Sequence, residues 1–200
     1  MRTADFDYHL PVERIAQTPV EPRDSSRLLV LPRHGGVLEH TVFSEIDRYL
    51  QPGDILVVNQ TRVIPARIFA HKDTGGRVEL LLIRRIDLLT WEALVGGKRL
   101  LPGRKLQIEG GPAAEVIQSL AGSRRLVRFS EPIEPHLPQI GQMPLPPYIH
   151  ERLTDPERYQ TVYARQPGSA AAPTAGLHFT PALLDRLQTL GIQFATVTLH

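Results

Sequence analysis

The chain contains no cysteine. That absence excludes disulfides, thiolate-bound metals and a cysteine nucleophile, and it fits a reducing compartment, so a cytoplasmic location is expected. Long apolar runs are also missing. Leu28–Leu31, Ile55–Val58 and Leu80–Ile83 are short and fall far below the ~20 residues of a membrane-spanning helix, so no membrane partner is expected. Met1–Leu10 is polar and lacks the apolar centre of a signal peptide. No Walker loop and no strand–GxGxxG–helix pattern appears. The eight histidines show no HExxH or comparable metal spacing, and no serine sits in a nucleophile elbow. Nucleotide-fold, zincin and α/β-hydrolase chemistry are therefore not indicated.

What is present is enough for a real core. The chain has 200 residues, 42% of them hydrophobic, which suits one large or two small domains. Its 18 prolines and 15 glycines are spread along the sequence and mark turns rather than disorder. The net charge of +2 hides an uneven distribution: Arg62–Arg128 carries 13 Lys/Arg against 6 Asp/Glu, and the remainder is net acidic. A basic middle in an acidic frame points to a polyanionic partner, the alternative being a solvated barrel surface with chance bias.

The first 60 residues read as β-β-α-β. Arg27–Leu31 and Val37–Phe43 form a hairpin about Pro32–Gly36, Ser44 caps a helix over Glu45–Leu50, and Ile55–Val58 reads as a central buried strand. From Val63 to Phe129 no helix is signalled. Six short strands are predicted instead, at Ile64–Ala70, Val78–Arg84, Thr90–Val95, Lys105–Ile108, Ala114–Gln118 and Leu126–Phe129. Even spacing and glycine-rich turns predict a small antiparallel six-stranded β-barrel. The expected architecture is an α/β (mixed α and β) domain, residues 1–61 plus 138–200, interrupted by a basic barrel at 62–137. Pro144–Ile149 is a proline-stiffened strap presenting Tyr148, as the wall of a site or as a linker. Asp155 and Pro156 signal a helix start.

The stretch Ala172–Pro181 stands apart, being small-residue, nearly uncharged and set directly before a helix. Thr180 is a good N-cap, Pro181 suits the first helical position, Leu183, Leu184, Leu187 and Leu190 share a face, and Gly191 stops the helix. A loop held at a helix N-terminus suits an anionic ligand, whereas its small residues also suit a plain packing turn. Asn59, Thr61 and Arg62 end the apolar strand, the usual place for ligands in α/β sheets. The chain stops at His200 inside an apolar strand, as a cut chain would.

Taken together, the motifs are specific. Ala172-Pro173-Thr174-Ala175-Gly176-Leu177-His178-Phe179-Thr180 resembles the signature of the S-adenosylmethionine:tRNA ribosyltransferase-isomerases of queuosine biosynthesis. The likeness continues in Phe6-Asp7-Tyr8, Glu21-Pro22-Arg23-Asp24, Arg27–Leu31, Thr61–Arg67, Pro144–Ile149 and Tyr159–Ala164, in order over nearly the whole chain. Gln60 departs from the Asn or Asp expected before the Thr-Arg pair. Members of that family also continue for more than 100 residues past Thr198-Leu199-His200. The resemblance implies transfer and isomerisation of the ribosyl group of S-adenosylmethionine onto 7-aminomethyl-7-deazaguanine at the tRNA wobble position. Epoxyqueuosine-tRNA, adenine and methionine are the implied products. S-adenosylmethionine is then a co-substrate, no metal or other cofactor is expected, tRNA carrying the precursor base is the partner, and a monomer is expected.

The implied chemistry asks for a base at the acidic hydrogens beside the sulfonium and an acid at the departing adenine. His178 is the best titratable candidate, and its alternative role is a structural histidine bonded to loop backbone. Thr174 could donate to substrate oxygens or make a local turn bond. Pro173, Ala175, Gly176 and Phe179 would form the pocket wall with them. Tyr148 could stack on a purine or pack between domains. Arg62 and Arg152 could bind carboxylate or phosphate, or sit in surface ion pairs. Arg84, Arg85, Arg124, Arg125 and Arg128 of the barrel would track tRNA phosphate. The competing function is a non-catalytic RNA-binding module working through the basic barrel. A methyltransferase is weaker, for want of the glycine-rich strand–loop–helix.

Overall fold

The fold is that of a computed structural model, which describes residues 1–151 and 153–199. A closed antiparallel barrel dominates. Its strands are β5 (Arg67–Lys72), β6 (Arg77–Arg85), β7 (Thr90–Gly96), β8 (Lys105–Ile108), β9 (Ala113–Ser119) and β10 (Arg124–Phe129), closed in the order β10-β7-β6-β5-β8-β9. The strands alternate, sending Ile68 and Ala70, Val78, Leu80 and Leu82, Leu106 and Ile108, and Val127 and Phe129 inward, except β7, which is buried throughout Thr90–Ala93. Leu100 closes one end and Ile133 and Leu137 join the core at the other. Six predicted strands thus become six observed ones, with ends moved by at most a few residues.

The frame around the barrel is mixed α/β. β1 (Arg27–Val30) and β2 (Glu39–Val42) form the predicted hairpin. β3 (Ile55–Asn59) pairs in parallel with β12 (Gln193–Val197), and β4 (Thr61–Val63) pairs in parallel with β11 (Gln166–Ser169). Among the described residues the α-helices are a single turn, α1 (Leu137–Ile140), and α2 (Pro181–Thr189). A second core gathers Phe43, Phe179, Leu183, Leu187 and Ile192 under β3 and α2. No helix among the described residues is long and apolar enough to cross a membrane.

Four expectations need correction. β3 is not buried on both faces: Ile55 is 58% and Val57 65% exposed, because α2 covers one face and no described residue covers the other. The helix expected over Glu45–Leu50 is a 3-10 turn over Phe43–Tyr49, broken at Glu45. Its first turn is set by tertiary anchors, with Phe43 in the core and the Ser44 carbonyl taken by Arg186, rather than by a Ser44 cap. The helix expected from Asp155 is a 3-10 turn over Pro156–Tyr159, although Asp155 does accept from the Glu157 amide at 3.0 Å. Leu190 lies past the last turn of α2 and is exposed; Gly191, with φ +86°, reverses the chain there.

Candidate functional site

The Ala172–Pro181 stretch is not an open loop. Thr174–His178 winds into a 3-10 turn, with the Gly176 amide donating to the Pro173 carbonyl at 2.8 Å. Gly176 is buried, and an added Cβ would overlap the Tyr163 hydroxyl and lie 2.9 Å from Thr161 Cγ2. Its lack of a side chain therefore serves packing. Thr180 caps α2 as expected, accepting from the Leu183 amide at 3.2 Å, and it also donates to Asp24 Oδ2 at 2.8 Å. The negative charge favoured at that helix N-terminus is supplied by the protein's own Asp24 carboxylate. This corrects the expectation of an anionic ligand there.

The turn lines a cavity of about 270 Å³, shared by Arg23, Ser26, Arg158, Thr174, Leu177 and His178, with Pro19 and Val20 at its edge. His178 packs on Phe43, with ring centroids 5.1 Å apart, and its Nδ1 lies 3.0 Å from Ser26 Oγ. Ser26 donates its one hydroxyl proton to the Arg23 carbonyl at 2.8 Å. Ser26 Oγ must then accept from His178, so Nδ1 carries the proton and Nε2 holds the lone pair. Burial lowers the His178 pKa, which keeps the ring neutral near pH 7. A neutral imidazole with a defined basic nitrogen can take up a proton.

Two guanidiniums flank this base. Arg23 donates to the carbonyls of Gln160 and Glu157, the latter at 2.8 Å. Arg158 donates to the Val20 carbonyl at 2.8 Å and pairs with Glu21 at 2.7 Å. Burial, and then the charge of Arg158, lower the Arg23 pKa. The two arginines lace residues 20–23 to residues 157–160; Arg23, donating to carbonyls, brings positive charge to the cavity, while that of Arg158 is matched by Glu21. Arg158 and Ser26 were not singled out from sequence. Arg158 stands directly before the Tyr159–Ala164 motif, and Ser26 directly before the Arg27–Leu31 strand. Position beside a motif was the only signal available.

The structure brings His178 and Thr174 together with these groups and sends other expected residues elsewhere. Pro173 and Ala175 flank Thr174 in the turn but do not line the cavity. Phe179 is core, edge-on to Phe43 at 5.0 Å. Asn59 Oδ1 accepts from the Thr61 and Leu199 amides, and the buried Thr61 Oγ1 accepts from the Leu199 amide and lies 2.6 Å from Asn59 Oδ1 and 2.8 Å from the Leu199 carbonyl, with one proton to donate to either. Those two residues join the ends of β3 and β12. Arg62 pairs with Glu157. Tyr148 is 53% exposed, outside the cavity, with its carbonyl held by Gln17 at 3.0 Å. Arg152 lies outside the described residues.

The barrel arginines are dispersed. Arg84 and Arg124 share Glu92, and Arg85 pairs with Glu134 at 3.1 Å. Arg125 donates to the carbonyls of Leu100, Gly122 and Arg124. Arg128 is exposed near Asp87, whose carboxyl is held below its usual range chiefly by the Leu89 amide.

Comparison with known proteins bears on this geometry. A protein of Carboxydothermus hydrogenoformans named S-adenosylmethionine:tRNA ribosyltransferase-isomerase is 53% identical over 203 residues, covering 100% of this chain and 60% of that protein. One of the same name from Dehalococcoides mccartyi is 55% identical over 207 residues, with the same coverage. A crystal structure of the S-adenosylmethionine tRNA ribosyltransferase of Thermotoga maritima is 37% identical, with a TM-score of 0.41, over 98% of this chain and 58% of that one. The chain thus spans about 60% of the length of the curated relatives it matches. Residues 3–200 match the family described as Queuosine biosynthesis protein, and the chain belongs to that family.

Proposed function

We propose that the protein to which this chain belongs is an S-adenosylmethionine:tRNA ribosyltransferase-isomerase. It transfers and isomerises the ribosyl group of S-adenosylmethionine onto 7-aminomethyl-7-deazaguanine in the tRNA wobble position. Epoxyqueuosine-tRNA forms, and adenine and methionine leave. S-adenosylmethionine is a co-substrate in this reading, and no metal takes part. The observation that carries it is the cavity in which a neutral His178, its tautomer set by Ser26, faces the same space as Thr174, Arg23 and Arg158.

The chemistry runs from those groups. The sulfonium acidifies the C5′ hydrogens next to it, and His178 Nε2 takes one of them, leaving a carbanion stabilised by the adjacent positive sulfur. The imidazolium so formed is then a proton source for the departing adenine. Arg23, whose partners are backbone carbonyls, offsets the methionine carboxylate. Thr174 donates its hydroxyl to a ribose oxygen.

The test is to incubate the full-length gene product with S-adenosylmethionine and tRNA bearing the deazaguanine precursor, and to follow adenine and epoxyqueuosine by mass spectrometry. Adenine release that requires this tRNA supports the reading. Verified tRNA binding without adenine release defeats it and leaves the non-catalytic RNA-binding module.

A further inference from the structure

The three hairpin loops at the end of the barrel far from the frame are residues 73–76, 97–104 and 120–123. They converge because β5, β7 and β9 all run away from the frame. Lys72, Lys98, Arg99, Lys105 and Arg125 stand at this end, with Arg124 beside them paired to Glu92. The loops contribute a single carboxylate, Asp73, which Arg104 already neutralises at 2.6 Å. Of the nearby acids, Glu79 turns to Arg67 at 2.9 Å, Glu92 is shared by Arg84 and Arg124, and Glu115 stands opposite Lys105 across the β8–β9 pair. Arg84 and Arg85, by contrast, lie at the frame end of β6 and face Glu92 and Glu134.

The cluster is also held in shape. Leu100 is buried as the plug of the barrel, which fixes the 97–104 loop. Arg125 clasps that loop to the next by donating to the Leu100 carbonyl at 2.9 Å and the Gly122 carbonyl at 2.9 Å. Its partners are carbonyls, so its full charge remains. Lys72 reaches the Lys98 carbonyl at 3.4 Å. Lysines and arginines gathered at one end in excess of its carboxylates favour an anionic partner that spans several of them. The loops carry no aromatic side chain on which a base could stack.

We infer that this far end of the barrel is a docking surface for the phosphate backbone of the RNA substrate, read by charge and not by base. The inference rests on the proposed tRNA substrate and adds the place of contact. A barrel strand of six residues spans about 20 Å, so the surface meets RNA remote from the reacting nucleotide. It therefore contributes to RNA affinity and not to the chemical step.

The test is the variant Lys98→Glu/Arg99→Glu/Lys105→Glu in the full-length gene product, with Arg33→Glu in the frame hairpin as a charge control. Dissociation constants for tRNA are measured across a salt series, together with adenine release at saturating tRNA. The expected result is a Kd raised about tenfold or more at physiological salt and a salt slope reduced by about 2, with kcat unchanged. Arg33→Glu leaves the slope as it was. An unchanged slope in a variant that melts like the parent overturns the inference, as does an equal fall in Arg33→Glu. Retained RNA binding with lost binding to phosphatidylserine vesicles overturns it in favour of a membrane surface. A parent protein that binds tRNA but releases no adenine defeats the enzymatic reading instead and leaves the docking surface standing.

Discussion

His178 shows how one residue is made chemical by its surroundings. Its ring is packed on Phe43, its Nδ1 proton is directed to Ser26, and burial holds it neutral. In the proposed reaction, replacing it with Gln is expected to lower adenine release by about 100-fold or more, the usual loss when a general base is removed. Ser26→Ala removes the acceptor that sets the tautomer. It is expected to lower kcat more than it changes KM, and to move the acid limb of the pH–rate profile, which a purely structural loss would leave in place. The same burial has a consequence for stability. A folded pKa below the ordinary 6.5 means that the unfolded chain binds this proton more tightly. The contribution is complete above pH 6.5 and is lost as pH falls through that value toward the folded pKa. Melting curves taken between about pH 8 and pH 5 should fall on the acid side for the parent and less for His178→Gln. Gly176 makes the opposite case, a motif residue explained by packing. Gly176→Ala drives a methyl into Tyr163 and Thr161, and denaturant melts should show a loss of about 1–3 kcal/mol.

At the scale of elements, α2 was legible almost completely, from Thr180 and Pro181 through Leu183 and Leu187 to Gly191. Capping, proline tolerance and apolar spacing are local rules, so a local reading reaches them. Thr180→Ala is expected to cost about 0.5–2 kcal/mol through loss of the cap, measured by urea unfolding. It also strips Asp24 of its hydroxyl donor, so the turn bearing Thr174 and His178 loses an anchor. The 43–49 segment was misread for the converse reason. A helix shorter than two full turns has little cooperativity of its own, and Phe43 in the core and Arg186 on the Ser44 carbonyl decide its form. Asn59 and Thr61 likewise looked available at a strand end, and their polar atoms are consumed in joining β3 to the residues after β12. Hydrogen bonds across 138 or more residues have no local signature.

At the scale of the molecule, two cores stand side by side, one inside the barrel and one beneath α2. The barrel core draws on residues between Ala66 and Leu137, with Ala170 packed at its edge from outside. Its self-containment leads to an expectation: a fragment of residues 62–141 should unfold cooperatively, with the fluorescence of Trp91 reporting a single transition. A fragment that shows no transition would mean that the frame is required to close the barrel.

What the sequence determined by itself was the barrel, the capped helix, the uneven charge and the family, because alternation, turn glycines, cap residues and ordered motifs are all written within a few positions of one another. What only the tertiary structure decided was which motif residues meet. Arg23, Ser26, Arg158, Thr174 and His178 come from three distant segments and reach one cavity through hydrogen bonds that span more than 130 residues. The basic middle, one undivided stretch in sequence, is sorted by strand direction into arginines paired with Glu92 and Glu134 at the frame end and an excess of cations over carboxylates at the far end. Strand direction and long-range pairing are properties of the closed chain, and charge and chemistry follow from where closure puts each side chain.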